Sequence, residues 1–213
     1  MELFIAAGGT WRWSDIAFGT ENRYHTKSNV MEPPGLNKEQ WLEKLILVDQ
    51  SLQRQTGSAQ LILVGSAAGI LTGQPSRTSI DLDVWKPGSR YQYQTLKTAV
   101  EEAGLLFDPK IAEPDRPYFQ MVEPGLTQLG KFETTECLEQ FRVLRLERPP
   151  MANLVAAKLV RAEAKDLEDI AYLLSAYRPS RHDIEEAIQS MPREAREKSA
   201  ENLVYLNAMS RGQ

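Results

Sequence analysis

The sequence has little of what several protein classes require. It contains one cysteine, Cys137, and two histidines, His25 and His182, in 213 residues. A single cysteine excludes a disulfide framework and a multi-cysteine zinc site, and two isolated histidines without a third partner argue against a zinc site of any kind. The sequence also lacks a Gly-x-Ser-x-Gly elbow, a Walker loop and a Gly-x-Gly-x-x-Gly run, so the hydrolase, P-loop and Rossmann readings have no support.

Long apolar stretches are missing as well. No apolar run approaches the ~20 residues that a membrane-spanning helix needs. The apolar run at residues 3–7 is too short for the core of a signal peptide, and no basic segment precedes it. We therefore expect a protein of the cytoplasm that has no contact with a membrane.

The charge balance excludes a strongly basic surface. The chain carries 25 lysines and arginines against 29 aspartates and glutamates, and neither the part before residue 150 nor the part after it is basic. Tight non-specific binding to nucleic acid is therefore not expected, although a local basic cleft remains compatible with these numbers. The content of 42% hydrophobic and 25% charged residues is typical of a globular protein and excludes wholesale disorder.

The chain divides into three parts by pattern. Residues 1–34 show no sustained periodicity and end in a Pro-Pro-Gly run, so we predict a loosely ordered N-terminal arm. Residues 35–149 mix helical and strand patterns and form the predicted core. After Pro149-Pro150, residues 150–213 show helical patterns alone.

The order of elements predicts an α+β fold. Asn37 is a good N-cap for a helix that ends near Gly57. The patterns that follow predict, in chain order, a strand at 59–64, a short helix at 67–71, a strand at 79–85, a helix at 91–104, strands at 118–122 and 141–146, and helices at about 151–165, 166–177, 181–191 and 193–209. A sheet domain with a helical C-terminal part fits this order.

Asp81 and Asp83 form the most informative pair in the sequence. They alternate with Ile80, Leu82 and Val84, so on a strand both carboxylates point to the face opposite the apolar residues, roughly 7 Å apart at the backbone. Two carboxylates placed in this way can share a divalent cation, whose other ligands are usually waters and substrate phosphates. The alternative is a solvated polar face on an edge strand.

The turn at Gly65-Ser66 favours the functional interpretation. It follows a buried strand and opens a helix of small residues. A glycine lets the backbone approach a ligand closely, and a helix N-terminus together with the Ser66 hydroxyl offers donors to an anion. One strand end thus provides a phosphate cradle, and a neighbouring strand provides metal ligands.

These motifs resemble the signature of the nucleotidyltransferase superfamily, which has the DNA polymerase β-like fold. The resemblance spans roughly residues 58–177 and is closest to the AbiEii-type toxin nucleotidyltransferases and a related uncharacterised nucleotidyltransferase-like family. It rests on Gly65-Ser66, on the run Arg77-Thr78-Ser79-Ile80-Asp81-Leu82-Asp83, and on the helical stretches at residues 150–159 and 165–170.

The resemblance implies a nucleotidyltransferase-like mixed sheet with flanking helices, and it implies roles for six residues. By position, Gly65 and Ser66 hold the phosphates of a nucleotide, and Asp81 and Asp83 bind Mg²⁺ and act in catalysis. The nucleotide-binding lysine and aspartate of the later helices match Lys158 and Asp166, with Asp169 as a second choice. The implied activity is Mg²⁺-dependent transfer of a nucleoside monophosphate from an NTP to an RNA or protein acceptor.

Two departures from the family pattern keep a second interpretation open. The Lys-x-Gly motif that the toxins carry on a strand between core and helices has no counterpart at residues 89–149, and no motif fixes a third carboxylate, for which Glu123 or Asp115 could serve. These departures favour a catalytically inactive nucleotidyltransferase-like binding or regulatory module, which could be one half of a toxin–antitoxin pair with an antitoxin partner. The intact Gly-Ser and Asp-x-Asp motifs favour the enzyme.

Overall fold

The computed structural model describes residues 35–110 and 114–210. The predicted N-terminal arm, residues 1–34, lies outside the described residues. The helices are α1 (Lys38–Arg54), α2 (Gly65–Leu71), α3 (Tyr93–Glu102), α4 (Met151–Leu159), α5 (Ala164–Tyr177), α6 (Arg181–Gln189) and α7 (Arg193–Ser210). The strands are β1 (Ala59–Ile62), β2 (Asp81–Trp85), β3 (Arg90–Tyr91), β4 (Leu106–Phe107), β5 (Tyr118–Val122), β6 (Glu136–Gln140) and β7 (Leu144–Arg148).

The start of α1 follows directly from its sequence. The Asn37 side chain accepts a hydrogen bond from the backbone N–H of Gln40, and the Gln40 side chain accepts one from the Asn37 N–H in return. This capping box satisfies two of the free donors at the helix N-terminus. The helix then buries Trp41, Leu45 and Leu52 at helical spacing and ends at Arg54, slightly before the predicted end.

The strands form two sheets. One sheet has the strand order β3-β1-β7-β6, in which β1 and β7 are parallel and the outer pairs antiparallel. The other has the order β2-β5-β4, and both of its pairs are parallel. An antiparallel bridge between Leu63 and Val84 joins the end of β1 to β2, where the Val64 N–H donates to the carbonyl oxygen of Asp83 at 3.0 Å.

The core lies between the sheets and the helices. Its largest fully buried side chains come mainly from α1, α2, α3, β1, β2, β5 and β7 and include Trp41, Leu61, Leu82, Leu96, Phe119, Leu144 and Leu146. The α+β class is confirmed, with strands of mixed orientation and helices α4 to α7 following the last strand. The division into parts at residue 150 stays a prediction.

One strand was placed wrongly, and three others, β3, β4 and β6, were not predicted. The strand predicted at 141–146 begins at Leu144 and runs to Arg148, and β6 pairs with it as the antiparallel partner. Residues 141–143 form the turn between them. The strand β6 is largely exposed at the edge of its sheet, so it has no buried face to impose an apolar alternation on its sequence.

Within the described segments, no helix combines the length and the apolarity that a membrane crossing requires.

Candidate functional site

The pleat of β2 places both aspartates on the same face. Leu82 and Val84 are fully buried on the other face, whereas Asp81 and Asp83 are partly exposed. The hydroxyl of Ser79 donates a hydrogen bond to the Asp81 carboxylate. Ser79 is itself held by two backbone hydrogen bonds to Leu36, of 2.8 and 3.1 Å, so the entry to the strand is fixed before the first aspartate.

The Gly-Ser turn lies directly against this pair. Gly65 has a φ of +62°, in the left-handed region that favours glycine. A Cβ atom at this position would also collide with Oδ2 of Asp83. Two independent constraints therefore require glycine at residue 65, and the second of them is contact between the two motifs that the sequence singled out. Ser66 follows in the first turn of α2.

The two motifs open into a cleft of about 230 Å³, which we call the acid–cation cleft. Its acid wall consists of Gly65, Ser66, Asp81 and Asp83, and its cation wall consists of residues from α4, the turn after it and the start of α5: Leu154, Ala157, Lys158, Val160, Arg161 and Lys165. A loop at residues 125–129 completes the lining, and its Leu126 side chain is 73% exposed.

Asp83 in the acid wall has a strongly raised pKa. Burial, and after it the negative charge of Asp81, raises the pKa of Asp83 from 3.8 to about 7. The charges of Lys158, Arg161 and Lys165 act in the opposite direction without compensating. A cation bound directly to this carboxyl would lower its pKa further and stabilise the charged form.

Lys158 lies at the edge of a buried ionic network. Its side chain is 8% exposed, and its Nζ is 2.6 Å from Oδ2 of Asp169 and 3.8 Å from Oδ1 of Asp166. Asp169 also accepts hydrogen bonds from Gln74 at 2.8 Å and from Arg77 at 3.1 Å. The buried carboxylate is thereby fully paired, as burial of a charge requires.

Asp166 is buried beneath the cleft. Its side chain is 1% exposed, and its two oxygens accept hydrogen bonds from Arg161, from Nε at 3.0 Å and from Nη2 at 2.7 Å. The sequence alone leaves open a helix cap at Asp166 or a pairing of Asp166 with Lys165 or Arg161 on the helix surface. The pairing is observed, but the carboxylate is in the interior, and Glu163 occupies the N-cap position of α5.

The structure brings most of the predicted site residues together. Gly65, Ser66, Asp81, Asp83 and Lys158 line the acid–cation cleft, and Asp166 contacts two of its cations from below. Sequence reasoning did not propose Arg161, Lys165 or the loop at 125–129. Arg161 follows Lys158 by three residues, a spacing that keeps side chains on one side of a helix and was the available signal.

Neither candidate for a third carboxylate takes part. Glu123 forms an ion pair with Lys86, and Asp115 lies 3.7 Å from Arg116 with its side chain 82% exposed. Within residues 35–110 and 114–210, no group of three histidine, cysteine, aspartate or glutamate side chains could hold a metal ion. A cation in the cleft would thus have two protein carboxylates as ligands, with water or substrate oxygens completing its shell.

A larger cleft of about 600 Å³ lies elsewhere, lined in part by Arg148, Asn153 and Tyr177. Its arginine is already engaged: Arg148 donates to the Glu136 carboxylate at 2.6 and 3.2 Å and lies 5.4 Å over the Tyr177 ring. The Asn153 amide donates to two backbone carbonyls. Since Arg148 and Asn153 are already engaged, the smaller cleft is the better candidate for chemistry.

Residues 43–205 match the family described as nucleotidyltransferase of unknown function (DUF6036). The match covers well over half of the chain, and the protein therefore belongs to this family of nucleotidyltransferases. No curated protein and no solved structure matches the chain. Membership agrees with the resemblance to the nucleotidyltransferase superfamily, while the closer likeness to the AbiEii-type toxins stays a prediction.

Proposed function

We propose that this protein transfers a nucleoside monophosphate from an NTP to an RNA or protein acceptor, with Mg²⁺ held by Asp81 and Asp83. The observation that carries the proposal is the placement of these two carboxylates against Gly65-Ser66 in a cleft whose opposite wall is positively charged. A magnesium–triphosphate complex has the matching distribution of charge, with a cation for the acid wall and phosphates for the cation wall.

The donor set suits magnesium. Both candidate ligands are hard carboxylate oxygens on one strand face, and burial together with the charge of Asp81 raises the pKa of Asp83, so a directly bound cation would stabilise its charged form. Magnesium commonly binds through one or two carboxylates and completes its shell with water and phosphate oxygens. When bound, it supplies a positive charge that offsets the negative charge on the phosphates during transfer.

The residues of the chain would contribute positioning and electrostatics. Asp81 is oriented by Ser79, and Asp83 is oriented by its contact with Gly65. Lys158 is held by Asp169, so its ammonium group is fixed near the cleft before a substrate enters. Preorganised groups of this kind account for most of the rate in phosphoryl and nucleotidyl transfer.

The first test is a thermal-shift titration of the wild-type protein with Mg²⁺ and each of the four NTPs. Ligand binding raises the melting temperature by mass action, so at least one Mg²⁺–NTP pair should stabilise the protein. Asp81→Asn should remove this response and reduce transfer at least about 100-fold, because even groups that only support a metal ligand contribute 10–100-fold. Its fold should persist, and cooperative thermal melting of the variant without ligand would show this. Full transfer by this variant would contradict the proposal.

A non-catalytic nucleotide-binding module is the second candidate. The absence of a third metal-binding carboxylate from the described part of the chain favours it. Labelled-NTP transfer to tRNA and to protein separates the two candidates, since both bind nucleotide but only the enzyme labels an acceptor. A toxin–antitoxin role, with an antitoxin as partner, is part of the same proposal. An antitoxin-like gene beside this one would support it.

A further inference from the structure

Arg161 and Asp166 form a unit that the proposed function leaves without a role. Arg161 lines the acid–cation cleft with 64% of its side chain exposed, while the carboxylate that holds it is 1% exposed. Most exposed arginines with acidic partners sit on helix surfaces and pair with exposed acids. Here a buried carboxylate anchors a guanidinium that faces an open cleft.

The anchor engages only part of the guanidinium. Asp166 takes one N–H from Nε and one from Nη2, in the bidentate geometry that matches a carboxylate. A guanidinium has five N–H donors, so three remain. Among the described residues, no acceptor pairs with Nη1 of Arg161. The side chain is therefore fixed in orientation and still has donors for an anion.

The backbone at this point is also fixed. Arg161 stands in the turn between α4 and α5, and the next residue, Ala162, has a φ of +50°. The Ala162 N–H donates to the carbonyl oxygen of Lys158 at 2.9 Å, which closes the turn on the end of α4. Both the main chain and the side-chain anchor thus hold the guanidinium at the cation wall.

The other two cations of the cleft are held differently. Lys158 is 8% exposed, and its ammonium group is shared between Asp169 and Asp166. Lys165 is exposed and has no ion pair within the described residues. Of the three, only Arg161 combines exposure to the cleft with a fixed orientation and unused donors.

We propose that Arg161 binds the terminal phosphates of the NTP and that Asp166 is the positioning residue that orients it. This inference rests on the proposed function and deepens it, because it assigns the recognition of the triphosphate, rather than of the base or the acceptor, to one side chain. A planar fork with free donors suits phosphate oxygens, and a lysine would provide charge without that geometry.

The experiment compares the affinities of ATP, ADP and AMP in the presence of Mg²⁺, measured by calorimetry on the full chain. If ATP is not the wild-type protein's preferred nucleotide, the assay is repeated with the NTP that gave the largest thermal shift and its di- and monophosphates. In Arg161→Ala, the preference for the triphosphate over the monophosphate should fall about 10-fold or more, as expected for a lost charged hydrogen bond. Arg161→Lys should recover only part of that preference.

Arg145→Ala is the matched control. Arg145 is 43% exposed and pairs with Glu147, a carboxylate 5% exposed on β7, outside the lining of the acid–cation cleft. Like Arg161→Ala, the Arg145→Ala variant removes an arginine side chain from a buried carboxylate. If a buried carboxylate merely needs its arginine for structure, both alanine variants should behave alike. The proposal expects a changed triphosphate preference in Arg161→Ala alone.

Asp166→Asn tests the positioning role. Its loss of preference should be smaller than that of Arg161→Ala, and the double variant should be no worse than Arg161→Ala. Additive losses would overturn the positioning role of Asp166.

An unchanged preference in both Arg161→Ala and Arg161→Lys would overturn the role of Arg161 while leaving the proposed function intact. A wild-type protein that binds none of the four NTPs would overturn both. If Arg161→Ala fails to fold, the triphosphate preference of Arg161→Lys, which keeps a cation for Asp166, tests the role of Arg161 instead.

Discussion

Two pairs of aspartates lie near the same cleft and differ in every respect that matters to function. Asp166 and Asp169, on α5, are buried and meet a lysine and two arginines at 2.6 to 3.1 Å. Asp81 and Asp83, on β2, are partly exposed, and no lysine or arginine of the described residues lies within ion-pair distance of them. The negative charges of the α5 pair are compensated by ion pairs within the protein. The β2 pair has no such ion-pair partner among the described residues.

The comparison teaches how to separate a structural acid from a functional one. Residue type is the same in both pairs, and the sequence interpretation placed Asp81, Asp83 and Asp166 in the site, with Asp169 as a second choice. Burial with complete pairing indicates a structural or positioning role, whereas a partly exposed pair without an ion-pair partner, one member of which has a raised pKa, indicates a place for a ligand.

The largest effect on stability should come from breaking the balanced pair. Asp169→Ala leaves Lys158 and Arg77 without their common partner in a buried environment. Loss of one partner of a buried ion pair typically costs about 3–5 kcal/mol, and we expect a loss of that size in the free energy of unfolding, measured with urea.

Asp115→Ala is the control for this variant. It removes an aspartate whose side chain is 82% exposed and which lies 3.7 Å from its arginine. Exposed pairs contribute little, so its free energy of unfolding should stay within about 0.5 kcal/mol of the wild type. Equal losses in the two variants would show that the α5 pair is no more structural than a surface acid.

An intermediate effect is expected at the acid wall. Gly65→Ala places a Cβ in the left-handed region, at a cost of about 1–2 kcal/mol, and adds the collision with Asp83. Gly104→Ala, with a φ of +76° and its nearest contact at 3.5 Å, carries the backbone strain without a collision. Both variants should lose stability in urea unfolding, but only Gly65→Ala should lose the thermal shift with Mg²⁺ and NTP. If Gly65→Ala retained that thermal shift, Gly65 would have no role in binding the ligand.

The smallest effect is the change in stability over one pH unit. The unfolded chain ionises Asp83 near pH 3.8, whereas the folded protein retains the proton up to about pH 7. The folded state binds more protons between these values, so the stability that Asp83 contributes falls as pH rises from 3.8 to about 7 and is level above it. The decline is at most about 1.4 kcal/mol per pH unit.

Asp83→Asn should remove this decline in stability. The difference in the free energy of unfolding between variant and wild type, measured with urea at several pH values, isolates the contribution of Asp83 from that of other carboxyl groups. The affinity for Mg²⁺ should show the opposite trend and increase up to about pH 7, because the cation competes with the proton. A wild-type protein and an Asp83→Asn variant with parallel pH profiles would contradict the unbalanced state of the β2 pair.

Local signals accounted for much of the fold. The capping box at Asn37 and Gln40 and the alternation along β2 depend on neighbouring residues alone, and both are observed. The edge strand β6 was missed because its burial pattern is weak, and the turn at residues 141–143 contains no glycine or proline to mark it. Strand pairing in two separate sheets depends on contacts that no local pattern specifies.

The site was predictable to the extent that its motifs are short. Asp81 and Asp83 share a face because the strand period is two, and the sequence is sufficient for that statement. The anchoring of Arg161 by Asp166 was open in the sequence because it depends on the turn at Ala162 and on the burial of α5. The raised pKa of Asp83 depends on burial by distant segments and could not be inferred from residue order.

The link between Val64 and Asp83 has a mechanical consequence. A main-chain hydrogen bond of 3.0 Å joins the end of the first strand to the second aspartate, and the bridge between Leu63 and Val84 lies beside it. The glycine bend and the aspartate strand are therefore parts of one rigid body and cannot separate without breaking the seam between the two sheets. We therefore expect any widening of the cleft to come from the segment at residues 125–129, whose Leu126 is 73% exposed.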